Sequence, residues 1–112
     1  MRTSLIARLA LVGCLAAPVL AAQAPAPDGK ALYTKNCQAC HGPRGVPSAA
    51  LAKQMKIPAF DAAFVAARSA DSVEAVIKHG GKSMKGFAGR LTPDEVKAVA
   101  AYVRELAPAK AG

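Results

Sequence analysis

The chain contains the pentapeptide CQACH, in which Cys37 and Cys40 are followed at once by His41. This feature restricts the fold strongly, because each kind of site that uses such a spacing needs its own structural setting. Three kinds of site show such a pattern: a redox-active dithiol, half of a structural zinc site, or the attachment point of a covalent haem whose iron the histidine holds. Each kind predicts different residues elsewhere in the chain.

The first residues of the chain have the form of an export signal. Two arginines give a positive start, an apolar run covers 9–20, and small residues follow. A retained membrane-spanning helix needs about 20 consecutive apolar residues, which is more than this run offers. We therefore expect a signal peptide at 1–21, cleaved after Ala21 or Ala22, and a mature protein in the periplasm.

A lipid anchor is the alternative at this end of the chain. The residues Leu11 to Cys14 resemble the lipobox at which bacterial lipoproteins are cleaved and acylated. The apolar stretch before Cys14 would be short, and the mature chain would begin with a strongly apolar run, so anchoring is the less favoured hypothesis. Loss of the leader removes Cys14 and leaves two cysteines, which are too few for a disulfide framework.

The mature domain is small and basic. The whole chain has 112 residues, with 15 Lys and Arg against 7 Asp and Glu, and it contains no Trp, three Phe and two Tyr. Such a chain buries a thin core and often needs a metal or a cofactor for stability. Nucleic-acid binding is another interpretation of a basic chain, but export and the lack of an arginine-rich stripe with interleaved aromatic residues argue against it.

The first half of the domain is predicted to be helical. A flexible Ala/Pro linker at 22–27 precedes Asp28, which is placed to cap a helix running towards Cys40. Glycines and prolines mark a loop after His41, and residues 48–68 are Ala-rich and mostly helical, with an interruption at Pro58.

The second half predicts two further helices. Asp71 and Glu74 have the spacing of a capping box for a helix that stops at the glycine pair after His79, and 82–91 is a loop. Thr92 and Glu95 form a second capping box before a helix that ends near Pro108. No alternating strand pattern is present, so the prediction is an all-α domain over 28–112.

The all-α pattern discriminates among the three kinds of site. A thioredoxin-like dithiol belongs after a strand in a βαβ unit. A zinc site would need His79 as a fourth ligand, and His41 directly after Cys40 cannot easily share one small metal with both thiols. A haem explains the spacing, since two thiols add to two vinyl groups and the next residue places an imidazole nitrogen under the iron. It would also supply the apolar mass that the core lacks.

The mature chain as a whole resembles the class I c-type cytochromes of the small, soluble bacterial kind. The resemblance rests on a capped helix with Gly29 and Tyr33 leading into CQACHG, a Met-containing loop, and LTPDEVKAVAAYVREL as the closing helix. It implies a cytochrome c-like fold, with three to five helices around one covalently bound haem c. It also implies that the first and last helices cross, with Gly29, Tyr33 and Tyr102 near the crossing.

The resemblance assigns roles to four side chains. Cys37 and Cys40 would carry the two thioether bonds to the haem, and His41 would be one axial ligand of the iron. In the family the other axial ligand is a Met in the loop before the last helix, which matches Met84. Met55, in a helical stretch, and His79, at a helix end, are the other candidates, and a Met within a helix is more often core.

Two departures from the family pattern concern the surroundings of the ligands. A Pro often follows the ligand Met, but here Lys85 does, which raises a question about the rigidity of that loop. A family Pro normally orients the ligand His through its carbonyl. Pro47 is the match that we favour, and Pro43 is the alternative.

The predicted function is electron transfer. A thioether and an imidazole fill both axial positions and raise the iron potential, so the protein would carry one electron and would not be an enzyme. The alternatives are a gas-binding or peroxide-binding haem protein with an open sixth position, and the cytochrome subunit of a larger redox complex. We expect a monomer. A positive face formed by Lys78, Lys82, Lys85 and Arg90 would steer redox partners with an acidic docking face.

Overall fold

The computed structural model describes residues 13–18 and 25–107. These residues form six helices: α1 (Gly29–Asn36), α2 (Gln38–His41), α3 (Ala49–Met55), α4 (Ala62–Ala67), α5 (Ala70–His79) and α6 (Pro93–Leu106). Within the described ranges there is no strand, apart from one isolated bridge between Ala88 and Leu91. No helix in those ranges combines the length and the apolar character of a membrane span.

The all-α prediction is confirmed, although the helices number six in the described part of the chain and not three to five. The first predicted helix breaks at Cys37, where φ is −122°, so that α1 and α2 are separate. The Ala-rich stretch likewise gives two helices, because Lys56 adopts a left-handed conformation and Pro58 follows it.

Side-chain caps mark the starts of five of the six helices in the described residues, all except α2, and one cap differs from the prediction. The Asp28 side chain accepts from the backbone N–H of Ala31, as expected. The predicted capping box of Asp71 and Glu74 is wrong: α5 begins at Ala70, and the Ser69 side chain is its cap. Asp71 therefore lies in the first turn of the helix, where its charge favours the positive end of the helix dipole.

The last helix follows the prediction closely. The Thr92 hydroxyl accepts from the Glu95 N–H at 3.2 Å, and the Glu95 carboxylate accepts from the Thr92 N–H at 2.7 Å. Both hydrogen bonds of the capping box are thus formed. Helix α6 ends at Leu106, while Pro108 and most of the predicted signal peptide lie outside the described residues.

Helix α6 is the centre of the core, because α1 and α5 both pack against it. Its inward face is apolar and almost fully buried, and α5 adds two more buried side chains. The residues concerned are Val96, Val99, Ala100 and Val103 of α6 with Val73 and Ile77 of α5. Tyr33 of α1 is 1% exposed, and its ring meets the ring of Tyr102 edge-on at 5.3 Å.

The crossing of α1 over α6 depends on Gly29. A Cβ at this position would overlap the carbonyl group of Ala98 and approach the Cβ of Tyr102. The two helix backbones therefore touch at this point, and no side chain fits between them. The close approach also sets the position of the chain that leads from α1 into CQACH.

Gly29→Ala is expected to lower the free energy of unfolding by about 1–3 kcal/mol, because the added methyl group must push α1 away from α6. This loss outweighs the gain of about 1 kcal/mol in helix propensity. Denaturant unfolding of the mature protein measures the difference. Lys30→Ala is the control, since Lys30 is the next residue of the same helix and is exposed. Equal stability of the Gly29→Ala variant and the unsubstituted protein would contradict the close crossing.

Candidate functional site

A cavity of about 740 Å³ lies among the helices. Apolar side chains of α5 and α6 form part of its wall, including Val73, Ile77, Val99 and Val103. The volume falls in the range of pockets that hold cofactors and other small molecules. A large apolar cavity next to a thin core is a site that a bulky apolar group would fill.

The cavity brings together the four residues that the sequence assigns to the site. Cys37, Cys40 and His41 line it from α2 and the preceding turn, and Met84 lines it from the loop between α5 and α6. Two segments that are far apart in the chain thus place two thiols, an imidazole and a thioether around one space.

The two other ligand candidates differ in their placement. His79 is exposed near the end of α5 and does not line the cavity, whereas Met55 lines it from the end of α3. The zinc interpretation also fails on geometry. Among residues 13–18 and 25–107, no group of three or more His, Cys, Asp and Glu side chains is close enough to hold a metal ion.

The short helix α2 places both cysteines and the histidine at the cavity. The backbone N–H groups of Cys40 and His41 both donate to the carbonyl of Cys37, at 3.2 and 3.0 Å. Gly42 then ends the helix with φ +80°, and a Cβ there would overlap the carbonyl group of Val46. Glycine is required for this turn, which leads the chain away immediately after the histidine.

Burial shifts the pKa values of two side chains in the site. It raises the pKa of the Cys37 thiol to about 11, with a further contribution from the neighbouring Cys40 sulfur, so that Cys37 is a neutral thiol at pH 7. Burial also lowers the pKa of His41 from its ordinary value of 6.5. A neutral imidazole keeps the lone pair that binding to a metal requires.

Tyr33 fixes the backbone next to His41. Its hydroxyl donates to the carbonyl of Gly42 at 2.6 Å, which connects α1 to the residue that follows the histidine. Burial raises the pKa of Tyr33 to about 12, so the hydroxyl remains protonated as a donor at neutral pH. Tyr33 therefore does more than pack in the core.

The predicted hydrogen bond from His41 to a prolyl carbonyl is not formed. Nδ1 of His41 is buried and has no hydrogen-bond partner, so the assignment of Pro47, or of Pro43, is wrong in this structure. Neither proline lines the cavity, whereas Pro58 does. The sequence suggested a proline in the loop directly after His41. In the structure, the chain comes back to the cavity later, within residues 55–60.

Backbone hydrogen bonds hold the loop that carries Met84. The Met84 carbonyl accepts from the N–H of Gly81 at 3.0 Å, and the N–H of Phe87 donates to Ile77 at 2.8 Å. The N–H of Ala88 donates to Lys78 at 3.1 Å. The last turn of α5 therefore holds the part of the loop that follows Met84, and one hydrogen bond closes the turn that contains Met84. These bonds restrain the loop although Lys85 stands in place of a proline.

Five exposed basic side chains line the cavity, and we call them the cationic rim: Lys56, Arg68, Lys82, Lys85 and Arg90. No Asp or Glu of the described residues lines it. Two rim residues lie over aromatic rings, since the guanidinium of Arg68 is 5.5 Å from the Phe64 ring and that of Arg90 is 5.1 Å from the Phe87 ring. The cavity thus has an apolar wall and a positively charged edge.

The rim overlaps only partly with the positive face that the sequence predicts. Lys82, Lys85 and Arg90 belong to both, but Lys78 lies 3.9 Å from the Glu74 carboxylate. Lys56 and Arg68 come from segments on either side of α4, and only the fold brings them to the cavity. A cluster of charged residues in the sequence could not have identified Lys56 and Arg68, because they are isolated from the other rim residues along the chain.

Comparison with known proteins identifies similar proteins, and those named here are cytochromes. A family model described as cytochrome c oxidase, cbb3-type, subunit III matches residues 24–103. Cytochrome c6 of Parathermosynechococcus lividus is 35% identical over 81 residues, which cover 71% of this chain and 88% of that protein. Cytochrome c6 of Anabaena variabilis is 34% identical over 83 residues, which cover 74% and 93%.

Comparison with solved structures agrees. The structure of KustC0563 c-type cytochrome superimposes with a TM-score of 0.66 at 35% sequence identity, covering 71% of this chain and 98% of that one. The cytochrome c-like fold, the covalently bound haem c with its iron, and the role of electron carrier in place of enzyme are thereby confirmed. Electron carriers of this kind act with redox partners. The chain belongs to this cytochrome c family and is a small class I c-type cytochrome.

Proposed function

We propose that the chain is a periplasmic carrier of single electrons, whose haem iron is bound by His41 and Met84. One observation carries the proposal: the thiols, the imidazole and the thioether that the sequence assigns to the site all line one apolar cavity. The export signal expected at 1–21 supports the periplasmic location.

Cys37 and Cys40 would attach the haem. Each thiol adds across one vinyl group, with the sulfur bonding to one carbon and the hydrogen going to the other, so the reaction needs no oxidant. The neutral state of the Cys37 thiol in its buried position is compatible with this addition. Cys37 and Cys40 would in this way hold the haem beside α2, next to His41.

His41 and Met84 would occupy the two axial positions. Because Nδ1 of His41 is enclosed by protein, Nε2 is the nitrogen that remains for a ligand in the cavity. The Met84 thioether is a soft donor that favours ferrous iron and so raises the potential. With both positions filled, oxygen and other small ligands are excluded.

The bound haem c supplies an iron that changes between the ferric and ferrous states. The chain would control the surroundings of that iron: the apolar wall of α5 and α6 would exclude water, and the hydrogen bonds of the Met84 loop would restrain the position of the sulfur. A rigid site lowers the reorganisation that accompanies the gain or loss of an electron, because few protein atoms must move.

An equilibrium redox titration of the mature haem-loaded protein tests the proposal. We expect one reversible transition that fits a one-electron curve, with no binding of carbon monoxide by the reduced form. Uptake of carbon monoxide by the unsubstituted protein would instead indicate an open sixth position, and the gas-binding alternative would then replace the carrier.

We further propose that the cationic rim docks an acidic surface of a redox partner. The rim residues line the cavity in which the haem would be bound, and no Asp or Glu of the described residues lines it. Opposite charges steer an encounter and raise its rate without making the complex long-lived, which suits a carrier that must leave after transfer. The same arrangement predicts sensitivity to salt.

The variant Lys82→Glu with Lys85→Glu is expected to slow electron transfer to hexacyanoferrate(III), an anionic probe, by about tenfold at low salt. Stopped-flow rates measure the effect, and the difference should shrink as ionic strength rises. The control is Lys35→Glu with Lys97→Glu, which makes the same change in net charge at exposed positions away from the cavity. Equal losses in both variants, or rates independent of salt, would contradict steering by the rim.

The description of the matching family favours a second candidate, a cytochrome subunit of a larger redox complex. The native mass of the protein purified from its own source discriminates the two. Elution of the haem at the mass of a monomer supports the free carrier. Elution of all the haem in a stable assembly with other chains supports the subunit.

A further inference from the structure

Phe60 lies directly against the side chain of His41. The two rings are stacked, with their centroids 4.8 Å apart and their planes inclined by 20°. Phe60 is 7% exposed and lies in the non-helical segment between α3 and α4. The contact therefore joins the expected iron ligand to a residue outside the CQACH motif.

Phe60 is itself held in place from several sides. Its backbone N–H donates to the carbonyl of Gly45 at 2.8 Å, and a Cβ at Gly45 would press on the Phe60 ring. The ring of Phe64 packs on it at 4.9 Å with an inclination of 51°. The Asp61 side chain caps α4 immediately afterwards and fixes the following turn. The Phe60 ring consequently has little freedom to move.

The His41 ring has no comparable polar restraint. Histidines that bind metals usually donate the N–H of their second nitrogen to a carbonyl, a carboxylate or a water, which sets the orientation of the ring. Here Nδ1 is buried without a partner. The stacked Phe60 ring is thus the described contact that opposes rotation of the imidazole.

We infer that Phe60 is a positioning residue: the flat face of its ring sets the plane of the His41 imidazole, and with it the orientation in which the histidine meets the haem iron. The inference rests on the proposed ligation by His41.

Phe60→Leu in the haem-loaded protein tests the inference, with Leu106→Ala as the control. The control removes apolar contact with the core at a position that neither lines the cavity nor stacks on His41. The readouts are the g-values of the ferric protein by electron paramagnetic resonance and the spread of its haem-methyl proton shifts, because both depend on the orientation of the axial ligands. We expect both to shift in Phe60→Leu and to stay at their original values in Leu106→Ala.

The outcomes separate this inference from the proposed function. If the unsubstituted protein is not low-spin with a bond between sulfur and iron, the proposed ligation itself fails. If it is low-spin and Phe60→Leu gives an unchanged pattern, only the role of Phe60 is overturned. Should Phe60→Leu not fold, Phe60→Met replaces it, because methionine is also apolar and has no flat ring face: shifted g-values and haem-methyl shifts support the inference, and unchanged values overturn it.

Discussion

Met84→Ala is expected to open the iron to external ligands, so that the reduced protein takes up carbon monoxide while the haem stays covalently attached. The alanine methyl group cannot reach across the cavity, and no other side chain on the Met84 loop carries sulfur. The weak absorption band that reports sulfur bound to ferric iron should disappear. The potential should fall, since the soft thioether no longer favours the ferrous state.

Met55→Ala is the matched control for this experiment. Met55 lines the same cavity, and its truncation removes the same atoms from the wall. We expect this variant to lose some stability through the smaller apolar contact but to keep its spectrum and to exclude carbon monoxide. If Met84→Ala kept the sulfur band and Met55→Ala lost it, the two roles would be reversed and our assignment of the ligand would be wrong.

The double variant Cys37→Ser with Cys40→Ser is expected to lose all haem that resists extraction with acidified acetone, because serine hydroxyls do not form thioethers. Loss of the cofactor should also reduce the helical content measured by far-ultraviolet circular dichroism. The chain has a thin core beside a cavity of about 740 Å³, and the haem supplies the missing apolar contact.

The single variants refine this result. Cys40→Ser should retain one thioether and one free vinyl group, and the longer conjugation moves the absorption bands of the reduced haem to longer wavelength. Cys14→Ser is the control, since it lies in the expected signal peptide and should leave haem content unchanged. Haem that still resists extraction from the double variant would show that other residues attach it.

Local patterns predicted much of the fold because their causes are local. The capping box of Thr92 and Glu95 is formed by residues three positions apart, and the stop after His79 needs only a glycine. The spacing of the two cysteines and the histidine in CQACH is also a local feature. The error at Asp71 is also local in origin: Ser69 offers an equally good cap two residues earlier, and the sequence pattern does not decide between the two starts.

Contacts between residues that are far apart in the chain could not be predicted from the sequence. Phe60 has no periodicity or motif that places it on His41, and Pro58 reaches the cavity only because the chain turns back after α3. Lys56 and Arg68 join the cationic rim for the same reason. Each of these positions depends on how α3 and α4 lie against the rest of the domain, which is a property of packing and not of local sequence.

The most direct measurement is the absorption spectrum of the mature haem-loaded protein in both oxidation states, extended to the near-infrared edge. Our account predicts sharp low-spin bands in the reduced form and, in the oxidised form, the weak band that reports sulfur bound to ferric iron. A high-spin spectrum without that band would contradict it, because the iron would then lack the bond to Met84 on which the role as a closed, single-electron carrier depends.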